Sequence, residues 1–116
     1  MARKDVVGST GEQLAVDYLL SEGYEIVERN WRCSLGELDI IARLGRTTVM
    51  IEVKTRTGLG FGHPLDAITP RKLARLRRLA AAWCETHGAV TRLRIDAIGV
   101  VLGREATSVE HVRQVC

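Results

Sequence analysis

Gly36-Glu37-Leu38-Asp39-Ile40-Ile41-Ala42-Arg43-Leu44-Gly45-Arg46-Thr47-Thr48-Val49-Met50-Ile51-Glu52-Val53-Lys54 holds two β-rich runs, Leu38 to Ala42 and Thr47 to Val53, joined through Leu44-Gly45-Arg46. The link is short enough for a hairpin. Side chains two apart in a strand share a face, so Val49, Ile51 and Val53 form one face of the second run while Met50, Glu52 and Lys54 form the other. In the first run Glu37 and Asp39 also share a face, and an aligned register brings Asp39 toward Glu52. Three carboxylates and one lysine would then converge.

Outward from this hairpin the elements alternate. Upstream, Ser9-Thr10-Gly11-Glu12 has the spacing of a capping box, followed by Leu14, Ala15, Tyr18 and Leu19 at helical spacing until Gly23. A short strand around Ile26 and Val27 is expected to end near Asn30. Downstream, Thr55 to Ala67 contains Gly58, Gly60, Gly62 and Pro64 and reads as an irregular loop. Its Gly58-Leu59-Gly60-Phe61-Gly62 lacks the residues of a phosphate-binding loop, and a segment that grips or admits nucleic acid beside the site is the better functional reading. Thr69-Pro70 then opens a second helix with Leu73, Leu76, Ala80 and Trp83 on its apolar stripe, ending at Gly88. Two further strands are expected over Leu93 to Leu102 and Val109 to Val115. The order α, three strands, α, two strands specifies a mixed α/β domain over residues 1–116, with neither a repeat nor a linker to divide it.

Composition bounds the function classes. The chain has 116 residues, 46% apolar and 27% charged, with 17 Lys plus Arg against 14 Asp plus Glu. One ordinary core fits these figures; disorder does not. Met1 to Ser9 has no apolar stretch of signal-peptide length, and the longest purely apolar run, Leu79 to Cys84, is six residues, so neither secretion by a classical signal nor a membrane span is expected. Cys33, Cys84 and Cys116 are far apart and in no C-x-x-C arrangement, which fits three thiols in a reducing cytoplasm. His63, His87 and His111 show no ligand spacing, and Trp31 and Trp83 read as core or rim residues.

The charges matter by position. Two like charges about 5 Å apart repel by roughly 3 kcal/mol at an effective dielectric near 20. Three carboxylates and one lysine leave net negative charge that a divalent cation relieves, and hard oxygen ligands without paired His or Cys favour magnesium or manganese. The same residues also fit an exposed Glu52–Lys54 pair with Glu37 and Asp39 in a solvated turn, and Glu12 fits the capping box. Between Ala67 and Cys84 there is no acidic residue, whereas Arg71, Lys72, Arg75, Arg77 and Arg78 supply five positive charges. Arg71, Arg75 and Arg78, at i, i+4 and i+7, form one stripe suited to a phosphate backbone or, equally, to a solvated outer face.

Gly11-Glu12, Gly36-Glu37-Leu38-Asp39 and Glu52-Val53-Lys54, with thirteen residues from the aspartate to Glu52, resemble the PD-(D/E)xK nuclease pattern. With Ile40-Ile41-Ala42, Ile51, Thr55-Arg56, Phe61-Gly62-His63-Pro64, Lys72 and Arg94-Ile95-Asp96, nearly the whole chain resembles the YraN family, a bacterial group of predicted endonucleases similar to archaeal Holliday junction resolvases. Leu38 departs from the proline of the pattern's name.

The resemblance implies a restriction-endonuclease-like αβββαβ core with a central mixed sheet flanked by helices. It implies Asp39 and Glu52 as ligands of Mg2+ or Mn2+, Glu37 as a further acid of the metal site, beside those ligands or behind them, Glu12 completing the acidic site, and Lys54 positioning or deprotonating the attacking water. Arg56, Arg71, Lys72, Arg75 and Arg78 become the expected contacts to DNA, Asp96 either bonds within the fold or supports the site from behind, and a two-fold homodimer would suit cleavage of two symmetric strands. The expected activity is metal-dependent hydrolysis of phosphodiester bonds in branched or structured DNA; the alternative is a non-catalytic nucleic-acid-binding module with a vestigial acidic site.

Overall fold

The computed structural model describes residues 3–58, 60 and 62–115. Leu59 and Phe61 of the expected glycine loop, and Cys116, lie outside the described residues. Helix α1 (Arg3–Ser21) leads into strands β1 (Glu25–Cys33), β2 (Gly36–Leu44) and β3 (Thr47–Arg56), then a 3-10 turn at Pro64–Ala67, helix α2 (Pro70–His87) and strands β4 (Arg92–Leu102) and β5 (Thr107–Val112). The sheet runs β1-β2-β3-β4-β5, antiparallel throughout except for the parallel β3–β4 pair. That pair requires a crossover, and α2 supplies it. The expected α/β fold, a mixed five-stranded sheet with two helices, is therefore the observed one, consistent with a restriction-endonuclease-like core. No helix among the described residues is long and apolar enough to cross a membrane.

Strand alternation divides the core in two. Ala42, Val49, Ile51, Ile98 and Val100 pack with Ala15, Val16 and Leu19 of α1. Ile41, Met50 and Ile95 pack with Leu76, Leu79, Ala80 and Trp83 of α2. The hairpin turns at Gly45, whose φ of 61° lies where a side chain is strained. Helix α2 begins as its sequence specifies: Thr69 Oγ1 accepts the Lys72 N–H at 3.2 Å, with Pro70 in the first turn.

Several boundaries differ from expectation. The capping box at Ser9 is not used, because α1 already runs from Arg3 and Ser9 is inside it; the Thr10 hydroxyl bonds back to the Val6 carbonyl at 2.9 Å. Gly11 instead allows close approach, since a Cβ there would overlap the side chain of Thr55 on β3. Strand β1 continues past Asn30 to Cys33, and Asn30 itself sits in the left-handed region at φ 53°. Thr55 and Arg56 extend β3, where pairing to β4 holds them out of the expected loop. Strand β5 spans Thr107–Val112 rather than reaching Val115. There the chain turns at Gln114, φ 55°, whose N–H goes to Asp96 at 2.9 Å.

Asp96 is fully buried. It shares its sheet face with Ile98 and Val100, the α1 side, so it bonds within the fold and does not back the acidic residues of β3. Arg94 donates to both its oxygens at 2.9 Å, and His111 Nε2 lies 2.7 Å from Oδ2. Tyr18 and Tyr24 close the network, at 2.9 Å from His111 Nδ1 and 2.7 Å from Arg94 respectively. Burial pushes the Asp96 carboxyl up, but the bonds from His111, Arg94 and the Gln114 N–H outweigh it and hold the pKa below its usual range.

A depressed carboxyl stabilises the fold above its unfolded pKa, near about 4, and loses that contribution as pH falls below it. Asp96→Asn should therefore lower stability at pH 7 by about 3 kcal/mol or more, leaving Arg94 without its counter-charge, and flatten the acid limb of the stability curve. Urea titrations of both proteins across acid and neutral pH measure this; parallel curves would remove the argument.

Candidate functional site

The β2–β3 ladder runs from Leu44↔Thr47 to Ile40↔Ile51 and ends there. One step further the main chain no longer pairs; the Val53 N–H donates instead to Asp39 Oδ2 at 2.8 Å. This places Asp39 opposite Glu52, as an aligned register requires. Beyond the ladder's end β3 stays paired with β4 as far as Arg56, so β2 and β3 part over a cavity of about 480 Å3. Asp39, Glu52, Lys54, Glu37, Lys72 and Arg75 are among the residues lining it. Helix α2 contributes the last two.

Glu52 is 7% exposed. Its Oε1 lies 3.4 Å from Lys72 Nζ and 3.6 Å from Lys54 Nζ, so two ammonium groups share one carboxylate oxygen. Among the described residues Asp39 has a single N–H partner and no cation. Burial, and then the charge of Glu52, push its carboxyl up to about 7; the Val53 N–H opposes the shift, and Glu12 and Glu37 add to it. A buried carboxyl raised by burial and by a specific neighbour, and set in a cleft, marks Asp39 as a candidate functional residue.

The other expected acids stand at the edge. Glu37 lines the cavity, but its carboxylate pairs with Arg32 at 2.9 Å. Glu12 is held from β1, by Asn30 Nδ2 at 3.0 Å and Arg29 Nη2 at 3.5 Å. Close convergence of the expected acids is thus limited to Asp39 and Glu52, with Lys54 and Lys72, and no group of three His, Cys, Asp or Glu among the described residues is arranged to hold a metal ion. Asp39 and Glu52 are the pair that could take a hard cation, which commonly needs only one or two protein carboxylates beside water and substrate oxygens.

The basic residues divide similarly. Lys72 and Arg75 line both the acidic cavity and a second concavity of about 370 Å3, which Arg71 and Arg78 line with Thr69. Arg75 also donates to the Leu35 carbonyl at 3.3 Å, across the β1–β2 turn. Arg56 lies apart from both, its guanidinium on the Thr55 carbonyl at 3.2 Å. Residue spacing did not single out Arg29, Arg32 or Asn30; the one local signal was the break in pattern at Asn30, the left-handed residue whose side chain reaches Glu12. Cys33 and Cys84 are free thiols, and Cys33 lines the cavity.

A raised carboxyl stabilises the fold at low pH, and that contribution is lost as pH climbs from about 4 through its folded value of about 7. Asp39→Asn should match the wild type near pH 4 and exceed it at pH 8 by about 1 kcal/mol or more, about 4 °C in Tm for a domain of this size. Thermal melts at the two pH values test this; a variant less stable at pH 8 would contradict it.

Residues 11–100 match the uncharacterised protein family UPF0102. A UPF0102 protein of Beutenbergia cavernae is 55% identical over 117 residues, covering 99% of each chain. One from Leifsonia xyli subsp. xyli is 56% identical over 102 residues, 87% of this chain and 86% of the relative, and one from Clavibacter michiganensis subsp. michiganensis is 49% identical over 121 residues and the whole of both chains. With the match spanning most of the sequence and full-length relatives near half identity, the chain belongs to the YraN-like family UPF0102.

Proposed function

We propose that this protein is a metal-dependent endonuclease of the PD-(D/E)xK type, hydrolysing phosphodiester bonds of branched or otherwise structured DNA. The observation that carries the reading is the placement of Asp39 against Glu52 at the end of the β2–β3 ladder, with Lys54 on the same face and a basic helix along one wall. Magnesium or manganese, held by Asp39 and Glu52, would supply an activated water and stabilise charge building on the phosphate. The Val53 N–H fixes the Asp39 carboxylate, Glu52 holds Lys54 within the cleft, and Lys54 stands where it can orient a water or stabilise the developing negative charge. Arg71, Arg75 and Arg78 give the scissile strand a path toward the cavity.

The proposal predicts Mg2+- or Mn2+-dependent cleavage of four-way or flapped DNA. Asp39→Asn, Glu52→Gln and Lys54→Ala should each reduce the rate by about 100-fold or more while retaining a cooperative melt. Undiminished cleavage by Glu52→Gln would defeat the assignment. The two lysines already neutralising Glu52 favour one second reading, a binding module without catalysis. On that reading DNA binding survives chelation, its log affinity falling against log salt with a slope of about −4.5 for about five phosphates, and no cleavage accompanies it.

A further inference from the structure

Lys72 occupies an unusual position between the two cavities. Its backbone is fixed in the first turn of α2 by the Thr69 cap, but its side chain is long, 29% exposed and a lining residue of both the acidic cavity and the basic groove. The ammonium lies on Glu52 Oε1, the same oxygen that Lys54 approaches, and Glu52 is its one ion-pair partner among the described residues. Lys54 belongs to the strand that carries Glu52, two residues on and on the same face, so its backbone is fixed beside the carboxylate. Lys72 comes from another element and has four rotatable bonds to leave by.

A divalent cation binds carboxylate oxygen at about 2.1 Å. It cannot share Oε1 with two ammonium groups without strong like-charge repulsion. Resting on the metal-site reading above, we propose that Lys72 is a built-in counter-ion that covers Glu52 until a polyanion in the Arg71–Arg75–Arg78 groove draws it away, so that phosphate binding opens the carboxylate to the cation. Lys72 is then a positioning residue that links nucleic-acid and metal binding. Linkage makes the effect reciprocal: the cation strengthens polyanion binding by the same factor.

The test is manganese binding at equilibrium, read from the electron paramagnetic resonance signal of free Mn2+, for the wild type, Lys72→Met and Lys72→Arg. Each is titrated with and without a short duplex whose integrity is checked afterwards. Without DNA, Lys72→Met should bind Mn2+ about fivefold tighter or more, within the ordinary range of coupling between sites, and Lys72→Arg should stay near the wild type. DNA should tighten Mn2+ binding in the wild type and do so less in Lys72→Met. Equal or weaker affinity in Lys72→Met, or the same DNA effect in both proteins, overturns the role of Lys72 and leaves the metal site standing. No manganese uptake by any protein, with or without DNA, overturns the metal site itself and this inference with it. Melting curves of the variants confirm that the capped first turn is intact.

Discussion

One hydrogen bond decides how the sheet becomes a site. Where the β2–β3 ladder ends, the Val53 N–H goes to a carboxylate rather than to a carbonyl, at 2.8 Å from Asp39 Oδ2. A main-chain bond there would have zipped the strands closed and left Asp39 in an ordinary cross-strand position. The side-chain bond satisfies a donor that would otherwise be orphaned, fixes the carboxylate, and lets the two strands part while β3 remains anchored to β4. The parting of the strands over the cavity goes with that exchange, while the hairpin register sets Asp39 opposite Glu52 and the β3–β4 crossover brings α2 over both.

The molecule solves the problem of a buried carboxylate twice, with opposite results. Asp96 is surrounded by Arg94, His111 and the Gln114 N–H, and its pKa is held down. Asp39 has one N–H and faces Glu52, and its pKa is driven up. The contrast is one of partners as well as of depth. The α1 face uses its aspartate to tie β4, β5 and the chain after them together; the α2 face leaves its aspartate under-compensated, a cost to stability of the kind sites carry for function.

Much of this was legible because strand alternation and a short turn leave little freedom. Once Gly45 sets the hairpin, the pairing of Ile40 with Ile51 places Asp39 against Glu52, and Thr69-Pro70 to Gly88 delimits α2 almost residue by residue. What escaped was tertiary. Ser9 to Glu12 carries a real local capping signal, but residues before it extend the helix, so Gly11 serves the contact with Thr55 and Glu12 is free to be held by Asn30 and Arg29. The pairing of Glu37 with Arg32 joins two neighbouring strands across their turn, and no residue spacing ranks that partner above a shared metal. The face of Asp96 depended on the parallel register of β4 with β3, which a crossover through an 18-residue helix leaves open in the sequence.

Net charge of +3 conceals how the cations are divided. Arg71 and Arg78 line only the groove, Lys54 stands only at the carboxylates, and Lys72 and Arg75 border both. Among the described residues, two cations on Glu52 against none on Asp39 make the pair asymmetric, with one carboxylate covered and the other raised toward neutrality. A cleft whose two acids differ in this way holds less negative charge at rest than its composition suggests, and so repels an approaching phosphate less. On the proposed nuclease reading, substrate approach and cation capture would impose opposite demands on the same few ångströms, and a lysine that lines both cavities would let one small domain meet both.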